Sequence, residues 1–200
     1  LPGSGKSTLG FWIDSVAREL SLDIKVISLD DFYLPAQEMD FAMKGNPWNV
    51  PRGFPGSHSL DLLHQSLDVF LKTGILRSPT FDKSLRDGKG DRSGWCELKS
   101  KILILEGWFV GCEPVSDLNN IDSLSEDKFN LSLSQDEKDY RSLIQESLIK
   151  YSKIWKKFDK IWHLKSSHFN NTILWKTQQE EEMIKIRGSG LKGNNLTDFI

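Results

Sequence analysis

Residues 1–8 read LPGSGKST, and their types and order suit one task, the cradling of a phosphate chain. The pattern G-x-x-x-x-G-K-[ST] ends on Gly5, Lys6 and Ser7, which puts its leading glycine one residue before Leu1. The expectation is therefore a chain that begins inside the motif. Gly3 and Gly5 permit backbone angles that a Cβ would block, so the N–H groups of the loop, Ser4 among them, can turn inward on an anion. The apolar run from Leu9 reads as a helix whose N-terminus adds partial positive charge at the same place. Lys6 would neutralise the β and γ phosphates, and the Ser7 hydroxyl would ligate Mg²⁺. Thr8 either touches the α phosphate or is a first-turn helix residue. The plain alternative is a Gly-Ser turn followed by a lysine; it leaves the length of the pattern and the helix behind it unexplained.

A phosphate loop serves kinases, motors, GTPases and binding proteins alike, so the acceptor must be sought in other residues. In SLDDFYLP an acidic pair follows an apolar run, IKVISL, that reads as a buried strand. An acid at the carboxyl end of such a strand lies at the ligand-facing mouth of an open α/β sheet. Asp30 there could accept the proton of a hydroxyl as that hydroxyl attacks a γ phosphate. Asp31 reads better as a turn-capping residue. ILILEGW puts Glu106 at the end of another apolar strand, where an acid holds Mg²⁺ through water or orients the attacking group. Finally, PTFDKSLRDGKGDRSGW interleaves Lys83, Arg86, Lys89 and Arg92 with glycines. That composition suits a loop closing over anions by charge-assisted hydrogen bonds, although a solvated surface loop has the same look.

The elements needed to position these groups are legible as periodicities. Leu9, Trp12, Ile13, Val16 and Leu20 share one face of a helix from about Lys6 to Leu20. The Pro- and Gly-rich stretch NPWNVPRGFPGS, 46–57, reads as a loop before a second amphipathic helix, HSLDLLHQSLDVFLK. KILILEG supplies a strand. Residues from about Glu113 to Gln135 are Ser-, Asn- and Asp-rich, the signature of a surface loop or small insertion. A long helix is expected from Asp136 to about Phe158, with Tyr140, Leu143, Ile144, Leu148, Tyr151, Ile154 and Trp155 inward. KIWHLK reads as a further strand and ILWKTQQEEEMIKIR as a helix. Strands alternating with helices imply an α/β fold, a parallel sheet flanked by helices on both faces. The strand that normally delivers a P-loop would lie upstream of Leu1, so an open slot in the sheet is expected.

Composition sets the outer bounds. Two hundred residues, 38% hydrophobic and 27% charged, suit a single globular domain with a sizeable core. A formal charge of −2 gives no reason to expect nucleic acid as a partner. Cys96 and Cys112 have no metal-ligand spacing and fit a reduced, cytoplasmic compartment. No apolar run approaches the roughly 20 residues of a membrane span, so no membrane partner is expected. Oligomeric state is not legible.

Taken in order, PGSGKST, SLDDFYLP, RGFPGSH, FDKSLRDGKGDR, ILEGWFVG and the WKTQQEEEM helix resemble the D-glycerate 3-kinases of the plant and cyanobacterial type. That family includes fungal ATP-binding kinase-like proteins and is similar to uridine kinase, pantothenate kinase and phosphoribulokinase. The likeness runs from Leu1 to about Leu196, and the FDKS and LEGWFVG blocks are more specific than the P-loop. It implies a P-loop NTPase fold, a single kinase domain over residues 1–200 lacking an upstream strand and a C-terminal helical segment, and ATP and Mg²⁺ as cofactors. It also implies transfer of the γ phosphate to D-glycerate to give 3-phosphoglycerate, the closing step of photorespiratory salvage, in the chloroplast stroma if the source is a plant. Asp30 matches the acid credited with activating the hydroxyl. Arg52 and His58 fall in the R-G-x-P-G-[ST]-H segment and Lys83 and Arg92 in the basic loop, positions that would bind a substrate carboxylate. Arg has the better geometry for that, while His58 reads equally as a helix-capping or packed histidine. Lys176 and Arg187 fall on a lid-like helix. Three positions depart from the family: Ser59 for Asp, Phe81 for Tyr, and Lys176 for Arg, the last weakening closure over ATP. A kinase for another hydroxyl, or a nucleotide-binding protein without catalysis, are the alternatives.

Overall fold

The computed structural model describes residues 4–116, 133–165 and 170–187. Its contacts divide the described chain into two compact units. One takes 4–28, 100–110, 160–165 and 170–187; the other takes 29–99, 111–116 and 133–159.

The first unit opens with α1, Lys6–Glu19, followed by β1, Ile24–Ser28. A second strand, here called the Glu106 strand, Ile102–Glu106, pairs with β1 in parallel, from Ile24 opposite Ile102 to Ser28 opposite Glu106. A parallel pair cannot be joined by a tight turn, and the long excursion between these strands meets that requirement. α1 packs on the pair through small residues: Gly10 and Ala17 are buried, and a Cβ on Gly10 would come within 3.0 Å of Val26 Cγ1. This corrects the expected face of α1, because Leu9, Trp12, Val16 and Leu20 are exposed. Helix and strands meet across glycine and alanine, so the large side chains lie off the contact. KIWHLK is also corrected: residues 160–165 form no strand and are exposed. A strand exists only where a neighbouring backbone takes up its N–H and C=O groups, and among the described residues no third strand joins the β1 sheet. The last helix, Asn170–Arg187, carries Lys176 and Arg187, whose side chains lie outside the described residues. Residues 117–132, most of the expected Ser- and Asn-rich insertion, lie outside them too.

The second unit holds most of the core. It begins with a 3₁₀ turn, Leu29–Phe32, and α2, Ala36–Ala42, neither of which the periodicities predict. α3, Leu60–Thr73, matches the expected second helix and ends on Gly74 at φ 71°. β2, Ile75–Asp82, and β3, Asp91–Lys99, follow as an antiparallel hairpin; in this numbering the Glu106 strand is β4. The basic segment is thus the turn of a hairpin, residues 83–90, with its arms paired. Gly90 is required there, since a Cβ would sit 2.3 Å from Phe81 Cε1 on a backbone already at φ +81°. α4, Gln135–Trp155, begins at a capping box between Ser134 and Glu137. It buries Leu148, Tyr151, Ile154 and Trp155 as expected, while Leu143 is exposed. α5 is the helix Asn170–Arg187. Among the described residues no helix is long and apolar enough to cross a membrane.

Candidate active site

In the first unit the phosphate-loop residues gather at the start of α1. Gly5 caps the helix at φ 79°, a left-handed angle that an L side chain resists, and its carbonyl accepts the first helical bond from Leu9 N–H at 2.8 Å. Lys6 Nζ donates to Ser4 Oγ at 3.2 Å, which folds the ammonium back over the loop. Ser7 Oγ donates to Glu106 Oε1 at 2.8 Å. This brings together two residues 99 positions apart that were both assigned to Mg²⁺. Thr8 is exposed in the first turn, and Gly3 lies outside the described residues.

One hydroxyl beside one carboxylate is a sparse donor set. Among the described residues no three His, Cys, Asp or Glu side chains gather around a cation position. Mg²⁺ fits such a set, because it keeps most of its shell as water and phosphate oxygens and takes few protein ligands.

In the second unit a set of charged and phenolic groups surrounds Asp30. Lys83 Nζ donates to Asp30 Oδ2 at 2.6 Å, across 53 residues of sequence. Tyr33, one turn along the 3₁₀ segment, also bonds to the Asp30 carboxylate. Burial alone would raise the Asp30 carboxyl; the Lys83 ammonium, its hydrogen bond and the Tyr33 hydroxyl outweigh that and hold it below the usual carboxylate range. Burial, and next the Asp30 charge, push the Tyr33 phenol well above its ordinary value, so it remains a donor. Asp31 accepts the Phe81 N–H at 3.4 Å, a bond that reaches 50 residues along the chain to β2.

The two expected arginines fasten the hairpin to the rest of the unit. Arg52 Nη1 donates to the carbonyls of Gly88 and Lys89 at 2.7 and 2.8 Å, and the guanidinium lies 5.9 Å from the Phe81 ring centre. It also feels the Asp30 charge. Arg92 Nε donates to the Tyr33 carbonyl at 3.1 Å, and its Nη2 donates to Ser59 Oγ at 2.7 Å. Arg86 pairs with Asp40 at 2.5 Å. Asp91 accepts the Ala36 N–H at 3.0 Å, holding the base of the hairpin to α2.

His58 is a packed histidine. It is 4% exposed and stacks on Tyr33 at 4.4 Å between ring centres. Burial lowers its pKa to about 3, so it is neutral at physiological pH and gives no charge to an anion. Two groups escaped the sequence reading. Tyr33 was signalled by its place three residues after Asp30, a spacing that puts both on one side of a 3₁₀ turn. Tyr151 was read only as a core residue.

No family model matches the chain. It is 30% identical to the YGR205w protein, whose solved structure it matches over 99% of its own length and 71% of that chain with a TM-score of 0.75. The D-glycerate 3-kinase structure from Cryptococcus neoformans aligns with 93% of this chain and 68% of its own at 26% identity, with a TM-score of 0.81. An uncharacterized kinase of Schizosaccharomyces pombe, mug58, is 29% identical over 99% of this chain and 74% of its own length. A phosphate loop ending in GKST, a Ser7–Glu106 pair fit for Mg²⁺ and similarity to these proteins over almost the full chain agree: the chain belongs to the family of P-loop kinases that includes D-glycerate 3-kinase.

Proposed function

We propose that this kinase transfers the γ phosphate of ATP to a hydroxyl of D-glycerate, giving 3-phosphoglycerate. The observation that carries the proposal is the Asp30 carboxylate, held ionised by Lys83 and Tyr33 in a unit that also presents Arg52 and Arg92. A small hydroxy acid needs both features, a carboxylate to meet its hydroxyl proton and cations to meet its own carboxylate. Similarity to a D-glycerate 3-kinase supports the choice of acid.

Bound ATP with Mg²⁺ supplies the transferable phosphoryl group and screens its charge; Ser7 and Glu106 would hold the ion, and Ser4, Gly5, Lys6 and Thr8 the phosphates. Arg52, Lys83 and Arg92 orient the acceptor by its carboxylate. As the acceptor oxygen bonds to the γ phosphorus and the bridging P–O bond to ADP breaks, Asp30 takes the hydroxyl proton. A carboxylate of low pKa is a weak base, but in phosphoryl transfer the nucleophile gives up its proton late, and orientation of the hydroxyl is the larger demand. His58 contributes by packing. Lys176 and Arg187 on α5 are proposed to close over ATP.

The direct test offers ATP and a panel of D-glycerate, uridine, pantothenate and ribulose 5-phosphate, and follows ADP release. Turnover with D-glycerate is expected. Turnover confined to a nucleoside, or none with any acceptor, overturns the proposal.

The role of Lys83 can be read from pH dependence. Asp30 must be deprotonated to act, so kcat/KM should hold steady until the pH falls below the usual carboxylate range. Lys83→Met removes the main lowering influence and leaves the raising effect of burial. The acid limb of the kcat/KM profile is therefore expected to move to higher pH. An unmoved limb would separate Lys83 from the base.

A further inference from the structure

Tyr151, on α4, has no place in the chemistry so far, yet its side chain reaches into the loop that carries Arg52. Its ring is fully buried, and its hydroxyl oxygen accepts the Gly56 N–H at 3.0 Å and lies 2.8 Å from His58 Nδ1. A phenol has two acceptor positions and one proton. With the Gly56 N–H on one acceptor position, the phenol proton can be given to Nδ1. The other hydroxyl near that nitrogen, Ser57 Oγ at 3.4 Å, gives its proton to the Phe54 carbonyl at 2.6 Å. The bond from the Tyr151 hydroxyl suits the neutral imidazole of His58 in the tautomer protonated at Nε2.

From there the contacts run on to the base. His58 stacks on Tyr33, the two residues also form a backbone bridge, and Tyr33 bonds to Asp30. Gly56 sits at φ +105° with Ser147 Oγ 3.3 Å from where its Cβ would be, so the same face of α4, one turn earlier, also limits the loop. We propose that Tyr151 is a positioning residue of the acceptor site. It fixes the tautomer of His58 and the course of residues 52–58, and so aligns Arg52 and Asp30 on the hydroxy acid. This inference rests on the kinase function proposed above.

Tyr151→Phe in the full chain removes one hydroxyl and leaves the packed ring in place. Loss of these bonds is expected to raise the acceptor KM about tenfold, with the ATP KM within about twofold, since the phosphate loop is built on other elements. Ring-nitrogen NMR of His58 should show the Nε2-protonated tautomer in the unaltered chain and a tautomer mixture in the variant. Three results would overturn the inference: an Nδ1-protonated His58 in the unaltered chain, an unchanged acceptor KM in the variant, or equal rises in both KM values. The NMR result on the unaltered chain stands even if the variant fails to fold. Absence of turnover in the unaltered chain, with the tautomer as expected, would instead identify the kinase proposal as the part that failed.

Discussion

Asp30→Asn is expected to lower kcat by about 10²- to 10⁴-fold, the usual contribution of a positioned general base, while ATP affinity stays within about twofold. Asn keeps the size and a hydrogen-bonding oxygen but cannot take a proton, and it cannot balance the Lys83 ammonium now bonded to Oδ2 at 2.6 Å. The effect should fall on kcat, because proton acceptance matters only as the hydroxyl attacks. Nucleotide titration and single-turnover phosphate transfer on the same preparation separate the two quantities. A protein that only binds nucleotide would show the same ATP affinity and no turnover before or after the change. A catalytic chain with unaltered kcat would remove Asp30 from the reaction and leave the alignment of the acceptor by cations as the source of rate.

How much of this was legible in the sequence depended on the range over which each signal acts. α1, α3, α4 and β1 announced themselves because each is long or apolar enough for its own period to dominate. α2 did not: Ala36–Ala42 is two turns long, and it is held by contacts made by Met39 and by Asp91 on the Ala36 N–H. The hairpin was hidden for a different reason. Its turn, rich in Lys, Arg and Gly, is so polar that it masked the arms, ILRSPTFD and DRSGWCELK, which pair with each other and expose much of one face. On α1 the period was right and the buried face wrong, since Gly10 approaches Val26 more closely than any larger residue could.

The site shows the same division. Local motifs named Gly5, Lys6, Ser7, Asp30 and Glu106, and the pairing of β1 with β4 explains why Ser7 can bond to an acid 99 residues away. Local motifs also named Arg52 and Arg92, but not their bonds to the Gly88, Lys89 and Tyr33 carbonyls, since backbone acceptors leave no trace in composition. For His58 the sequence left a substrate contact and a packed ring both open; burial between Tyr33 and Tyr151, partners that only the tertiary structure supplies, makes it a neutral packed ring.

Lys6→Ala is expected to cost about 10²- to 10³-fold in kcat, the loss typical of removing one preorganised electrostatic contact from a transition state. The ammonium is held over the phosphate loop by its bond to Ser4 Oγ, and Gly5 at φ 79° sets the turn from which it projects. Charge on the transferred group and on the departing ADP oxygen is redistributed during transfer, so a fixed cation there gains more from the transition state than from bound ATP. The drop in kcat should therefore exceed the drop in ATP affinity. Lys6→Arg keeps the charge but replaces a compact ammonium by a planar fork that the tight loop is not shaped to hold, so rescue should be slight. Ser4→Ala removes only the side-chain partner of Lys6 and should leave most of the activity. Rapid-quench measurement at saturating ATP reads the transfer step directly. Equal losses in affinity and transfer rate would make Lys6 a uniform binding contact, and an unchanged transfer rate would place the stabilising charge on other residues.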